Sequence, residues 1–107
     1  MDNSCIISRH VATYNNRLVR VVINVDEEIK NPIRDFKILV DKDTEVSRLL
    51  GYVRRRLVLE KEEAIFMFTG GCLASMSDTV GELFIKNKDK KSNTLTFLIK
   101  SETAFGN

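Results

Sequence analysis

Apolar positions along the chain recur with two different periods, and the switches between them mark its elements. Ile7, Val11 and Tyr14 stand at i, i+4 and i+7, which predicts a short helix over residues 4–14, capped by Asn3 or Ser4 and ended by Asn15-Asn16. From Arg17 the period becomes two. Val19, Val21, Ile23 and Val25 share one face, and β-branched residues at that density predict a strand. The acidic run Asp26-Glu27-Glu28 and then Asn31-Pro32 mark a connection. A second strand is expected from Asp35 to Asp41, with Phe36, Ile38 and Val40 alternating against Lys37 and Leu39. Val46, Leu49, Leu50, Val53 and Leu57 then repeat at i, i+3, i+4, i+7 and i+11. That is the stripe of an amphipathic helix, with Asp43 or Thr44 at its cap.

Ala64 to Thr69 is a near-continuous apolar run, the pattern of a central strand buried on both faces. Gly70-Gly71 turns the chain into a short piece around Cys72 to Ala74. Thr79 with Glu82 three residues on predicts a capping box for a brief helix through Leu83 and Phe84. Lys86 to Asn93 is a charged turn, and Thr94 to Lys100 alternates as a last strand. The order β-β-α-β-β-α-β after an N-terminal helix is α+β. One long helix across a mixed sheet, with a short second helix, is the ubiquitin-like β-grasp arrangement. Residues 1–100 are expected to form this domain, and residues 101–107 a flexible polar tail.

At 107 residues the chain is one domain's worth. With 43% hydrophobic and 30% charged residues it is neither low-complexity nor disordered by composition. Seventeen Lys and Arg against fifteen Asp and Glu leave a charge of +2, too small to predict a nucleic-acid partner by itself. Cys5 and Cys72 make no disulfide framework and are expected as free thiols of a reducing compartment. The start, Met1-Asp2-Asn3-Ser4, lacks the basic and apolar regions of a signal peptide. The longest uncharged stretch, Ala64 to Ser77, is fourteen residues broken by two glycines, short of the roughly 20 that a bilayer helix needs. These features predict a soluble intracellular chain.

Catalytic chemistry has little to rest on, and no catalytic residue is assigned. His10 is the only histidine, and Cys5, five residues before it, lies past the one-turn spacing that brings side chains together. Cys72 stands beside glycines with no evident activator. Neither zinc nor calcium spacing is present, so no metal and no cofactor are expected. Gly70-Gly71 matches neither a phosphate loop nor a dinucleotide fingerprint. Arg54-Arg55-Arg56 is the densest basic cluster; it is either the wet face of the long helix or a recognition site for carboxylates or phosphates. Single-stranded RNA is a weaker reading of the same cluster, because Phe66, Phe68 and Phe97 fall in strands expected to be buried and leave no stacking platform. The tail carries more information. Phe105-Gly106 sits one residue from the end of an extended segment, and a glycine without a Cβ can thread a narrow enzyme channel and have its carboxylate activated without hindrance.

The run Tyr52-Val53-Arg54-Arg55-Arg56-Leu57, followed by Glu63-Ala64-Ile65-Phe66-Met67-Phe68, resembles the signature of the autophagy-related ubiquitin-like modifiers of the GABARAP type. Lys37-Ile38-Leu39-Val40 before it matches in order and spacing. So do Thr79-Val80-Gly81-Glu82-Leu83-Phe84, Lys88-Asp89 and the ending Ser101 to Gly106. The resemblance covers Tyr14 to Gly106. It implies that a dedicated cysteine protease frees Gly106 by releasing Asn107. Activating and conjugating enzymes then join Gly106 to phosphatidylethanolamine on autophagosomal membranes, so the chain is cytoplasmic until lipidated. Receptors dock through short peptides with an aromatic residue and an aliphatic residue three positions later.

The resemblance implies that such a peptide adds as a strand to the edge at Lys37 to Val40. An aromatic pocket would involve Val19, Val21, Lys37 and Leu39, and an aliphatic pocket Ile38, Val40, Leu49, Tyr52 and Val53. Arg17 and Arg56 match basic residues that meet acidic groups flanking the peptide. The chain departs from the family in having room for one helix before the first strand. Asp41 and Thr44 stand in place of a proline and an apolar residue, Thr94 in place of an aromatic, and His10 in place of an aliphatic residue. The short N-terminus points to one alternative, the sister modifier autophagy-related protein twelve, attached to a protein lysine; a second alternative is an unconjugated β-grasp peptide-binding module whose edge strand and basic helix bind acidic peptides.

Overall fold

The computed structural model describes residues 17–59 and 63–102. The elements are β1 (Leu18–Val25), β2 (Phe36–Asp41), α1 (Val46–Arg56), β3 (Ile65–Thr69), β4 (Cys72–Leu73), α2 (Val80–Asn87) and β5 (Leu95–Ser101). The order is the expected β-β-α-β-β-α-β. The expected helix over 4–14, with Cys5 and His10, lies outside the described residues. The five strands form one sheet in the order β2-β1-β5-β3-β4. β1 and β5 run parallel at its centre, and the other neighbours are antiparallel. Among the described residues no helix is long and apolar enough to cross a membrane.

Alternation along β1 puts Val19, Val21, Ile23 and Val25 into the core, as the period of two predicts. Leu95, Phe97 and Ile99 of β5 and Ile65 and Met67 of β3 join them on the same face. α1 covers that face with Val46, Leu49 and Val53, all fully buried. Phe97 is one of the largest side chains completely withdrawn from solvent. Burial of a side chain of this size contributes on the order of 2–3 kcal/mol. α2 adds Val80 and Leu83.

Several boundaries differ from expectation for physical reasons. The cap of α1 is Glu45, with no side-chain cap bond, rather than Asp43 or Thr44. The amides of Val46 and Ser47 are taken instead by the carbonyls of Asp78 and Met76, so a distant segment satisfies the helix start. β3 is not buried on both faces: Ile65, Met67 and Thr69 are buried, whereas Phe66 and Phe68 are half-buried on the opposite face. Among the described residues, α1 and α2 bury their apolar side chains in the core with Ile65 and Met67. α2 extends to Asn87, into the segment expected as a turn. Its capping box is as expected, with Thr79 Oγ1 accepting from Glu82 N at 3.1 Å and Thr79 N donating to Glu82 Oε1 at 2.8 Å. β5 holds Ser101, buried at 1% exposure, and Glu102 N donates to Ala64 O at 2.9 Å. The fold therefore runs past the expected boundary at residue 100.

The β1–β2 connection is fastened from within. Arg34 donates to the carbonyls of Ile29 and Val25, each at 2.7 Å, and to that of Asp26 at 3.1 Å. Asp35, expected to start β2, instead accepts from Val25 N at 2.9 Å.

Candidate functional site

β2 ends the sheet, and among the described residues no strand pairs with its outer side. The phase of its hydrogen bonding follows from one contact. Lys42 N donates to Arg17 O at 2.8 Å, so Arg17 and Lys42 form a hydrogen-bonded pair. Such pairs alternate along an antiparallel ladder. In this register Val19 with Val40, Val21 with Ile38 and Ile23 with Phe36 exchange bonds. The amides and carbonyls of Lys37 and Leu39 point away from β1, into the open edge. Two residues of exposed main-chain donors and acceptors are what an added strand needs for register.

Side-chain faces follow from the same register, since residues directly opposite each other project to one side. Val19, Val21, Ile38 and Val40 lie on the face that α1 covers. Lys37, opposite Val22, and Leu39, opposite Arg20, lie on the other. The four residues grouped as an aromatic pocket are thus divided by the sheet. Val19 at 6% and Val21 at 0% exposure are core residues, and only the exposed Lys37 and half-buried Leu39 flank the open edge on its far face.

The aliphatic group stays together. Val40, Leu49 and Val53 are fully buried and form a floor under the edge, while Ile38 and Tyr52 are half-buried and pack against that core. Phe36 belongs with them, two residues before Ile38 on the same face, half-buried and packed on the core. Its role was missed in the sequence, although its parity with Ile38 is the signal that could have found it. Arg56 completes this rim. Its guanidinium lies 4.2 Å from the centroid of the Phe36 ring, and Nη1 donates to Tyr52 Oη at 2.8 Å.

Arg17 sits at the other end of β2 and is engaged. Its Nη2 meets Asp41 Oδ1 at 3.1 Å, Nε donates to Asp41 Oδ2 at 3.3 Å, and Nη2 also bonds the Asp43 carboxylate. Its hydrogen bonds to Asp43, then those to Asp41, raise its affinity for its proton above the ordinary value. An exposed pair of this kind contributes little to stability. Its effect is local neutralisation: any acidic group arriving at Arg17 competes with two resident carboxylates. A depression of about 410 Å³ lined by Asp41, Asp43, Thr44, Glu45, Ser47 and Arg48 adjoins the pair. Arg54 is also engaged, Nη1 donating to Glu63 O at 2.8 Å. Cys72 is an exposed free thiol on β4. Among the described residues no group of three His, Cys, Asp or Glu side chains could hold a metal ion.

Phe105, Gly106 and Asn107 lie outside the described residues. The chain leaves the described fold at Glu102, at the end of the sheet where β1 ends and β3 begins. Gly106 is four residues further on, so at most roughly 14 Å of extended chain separates the two.

The family model for the ubiquitin-like autophagy protein Atg8 matches residues 4–106. The chain is similar to autophagy-related protein 8A of Oryza sativa, in both the indica and japonica subspecies. Each is 29% identical over 93 residues, covering 87% of this chain and 77% of the relative. In fold it is similar to the crystal structure of Trypanosoma brucei ATG8, with a TM-score of 0.71 at 24% identity over 92% of this chain and 84% of that one. The strand order, the edge at β2 and the family match over nearly the whole length agree: the chain belongs to the Atg8 family of ubiquitin-like autophagy proteins.

Proposed function

We propose that the chain is a membrane-conjugated autophagy modifier that recruits receptors through the open edge of β2. Hydrolysis of the Gly106–Asn107 peptide bond by a cysteine protease frees the Gly106 carboxylate. Partner enzymes activate that carboxylate by adenylation and carry it as a thioester. The amine of phosphatidylethanolamine then attacks the thioester carbonyl, forming an amide and releasing the enzyme thiol. The protein is cytoplasmic before this step and on the autophagosomal membrane after it. The observation that carries the reading is that the family match runs to Gly106 and leaves Asn107 outside. Glycine suits the chemistry because no Cβ obstructs the acyl carbon.

Receptor peptides add antiparallel or parallel to β2 through the main chain of Lys37 and Leu39. An aliphatic side chain rests between Ile38, Tyr52 and Phe36 over the floor of Val40, Leu49 and Val53. The aromatic residue lies on the other face, beside Lys37 and Leu39. Acidic flanking residues meet Arg56, and compete with Asp41 and Asp43 for Arg17.

The test is to express N-terminally tagged wild type and Gly106→Ala in the source cells and identify covalent species by mass spectrometry. Phosphatidylethanolamine on Gly106 with Asn107 gone is the expected result, absent from the variant. A protein lysine on Gly106 assigns the chain to the protein-conjugated branch. An intact Asn107 under autophagy-inducing conditions leaves a peptide-binding module only.

A further inference from the structure

The second half of α2 and the turn after it combine features that neither the core nor the β2 edge uses. Ile85 is 80% exposed, the most exposed of the large apolar side chains among the described residues. Val80 and Leu83 face the core, so Ile85 projects from the outer side of the helix. Lys86, Lys88, Lys90 and Lys91 follow within six residues, all exposed. Lys88 Nζ lies 5.2 Å from the centroid of the Phe84 ring. The acidic side chains of this segment are Glu82 and Asp89. Glu82 Oε1 accepts from Thr79 N, and Asp89 accepts from Ser92 Oγ at 2.8 Å and Lys91 N at 3.3 Å. Both carboxylates are thus turned to local backbone and hydroxyl donors.

We propose that this surface is a contact site for an anionic phospholipid bilayer. Four lysines on a helix end and its adjoining turn supply attraction to anionic headgroups, and Ile85, next to Lys86 on the last turn of α2, supplies an apolar group for the headgroup–acyl boundary. The exposed isoleucine favours a lipid surface over nucleic acid, which offers it no apolar partner, and the cluster of lysines beside a single apolar side chain suits the headgroup–acyl boundary. The Arg54-Arg55-Arg56 cluster fits less well, since Arg54 is bonded to Glu63 O and Arg56 is stacked on Phe36. The site is separate from the tail. β5 carries the chain from Leu95 beside Val21 to Ser101, so the lysine-rich turn and the exit at Glu102 lie at opposite ends of a strand about 23 Å long. The contact therefore does not depend on attachment at Gly106.

The experiment is flotation of the full chain carrying Gly106→Ala, which removes conjugation, with vesicles of phosphatidylcholine alone or mixed with phosphatidylserine. Binding is expected to the mixed vesicles only and to fall as salt rises. Each of Lys86→Gln, Lys90→Gln and Lys91→Gln should lower partitioning roughly fivefold, and Ile85→Ser should lower it further, with the far-ultraviolet spectrum unchanged. Arg55→Gln should bind as the parent does. Equal binding to both vesicles, binding lost in Arg55→Gln but kept in the lysine variants, or no binding at low salt would overturn the proposal. So would an Ile85→Ser variant that binds normally while polyglutamate competes, which would assign the lysines to acidic polypeptides. Because the tail is disabled throughout, none of these outcomes bears on conjugation at Gly106.

Discussion

Arg56 lies over Phe36, guanidinium carbon to ring centroid 4.2 Å, and so ties the last turn of α1 to the first residue of β2. Its bond to Tyr52 Oη, one turn earlier on the helix, fixes the plane of the guanidinium at the mouth of the aliphatic site. Charge and apolar surface are thereby presented together, as an acidic-flanked apolar anchor requires.

Arg56→Ala should lower stability by about 0.5–1 kcal/mol in urea unfolding, the scale of an exposed cation–π contact. It should also weaken an acidic-flanked aromatic-x-x-aliphatic peptide more than the same peptide with neutral flanks. Arg56→Lys keeps the charge and loses the planar stack. It should therefore preserve the acidic preference while sharing part of the stability loss. Equal weakening of both peptides by Arg56→Ala would show that the residue acts through packing alone.

The capping box of α2 makes a prediction with a pH signature. Thr79→Ala should cost about 1 kcal/mol at neutral pH, the usual range for a lost N-cap. The bonds from Thr79, backbone first and then side chain, lower the Glu82 pKa below its ordinary value. A group depressed in the folded state stabilises fully above its unfolded pKa, and that contribution is lost as pH falls through the folded value. The gap between wild type and Glu82→Gln should therefore be full at neutral pH and narrow on acidification below the ordinary carboxylate range, whereas Thr79→Ala, which keeps the Thr79 amide bond to Glu82 and removes the uncharged cap bond, should show a gap that changes less with pH. Thermal unfolding across that range checks it.

What was legible in the sequence was what short-range chemistry decides. The stripe of Val46, Leu49, Val53 and Leu57 placed α1, and Thr79 with Glu82 placed the start of α2, because each signal lies within one element. What was not legible depends on segments far apart in the chain. Glu45 caps α1 without a side-chain bond because Asp78 and Met76 supply the carbonyls. Val19 and Val21 could be grouped with Lys37 and Leu39 only while the β1–β2 register was unknown; once Val19 faces Val40, the two pairs fall on opposite faces. The neutralisation of Arg17 and the stacking of Arg56 are likewise products of chain crossing.

Gly70 and Gly71 separate two costs of adding a methyl group. Both have positive φ, +61° and +80°, so alanine at either should cost about 1–2 kcal/mol in backbone strain. A Cβ on Gly71 meets nothing within 4 Å, whereas one on Gly70 would stand 2.4 Å from Asn87 Oδ1. Gly70→Ala should be the more destabilising by the cost of moving that side chain, roughly 0.5–1.5 kcal/mol. Adding Asn87→Ala to Gly70→Ala should recover the excess, while the same change beside Gly71→Ala should recover nothing. Denaturant midpoints of the five proteins test this.

The phase of the β2 ladder can be tested by proline at adjacent positions. The Lys37 amide points out of the sheet and its side chain is exposed. Lys37→Pro should keep the fold, because an edge strand tolerates proline where its N–H faces outward. An added peptide strand would lose that donor, a bond worth about 0.5–1.5 kcal/mol, or roughly two- to tenfold in Kd. The Ile38 amide points to Val21. Ile38→Pro should leave the Val21 carbonyl without its donor inside the sheet and cost at least roughly 1–3 kcal/mol of stability. Calorimetric titration with an aromatic-x-x-aliphatic peptide, beside urea unfolding of both variants, separates the two effects. If Lys37→Pro unfolds the protein and Ile38→Pro does not, the phase assigned from Lys42 and Arg17 is reversed. If Lys37→Pro folds and binds the peptide as tightly as wild type, the receptor strand does not dock on this edge.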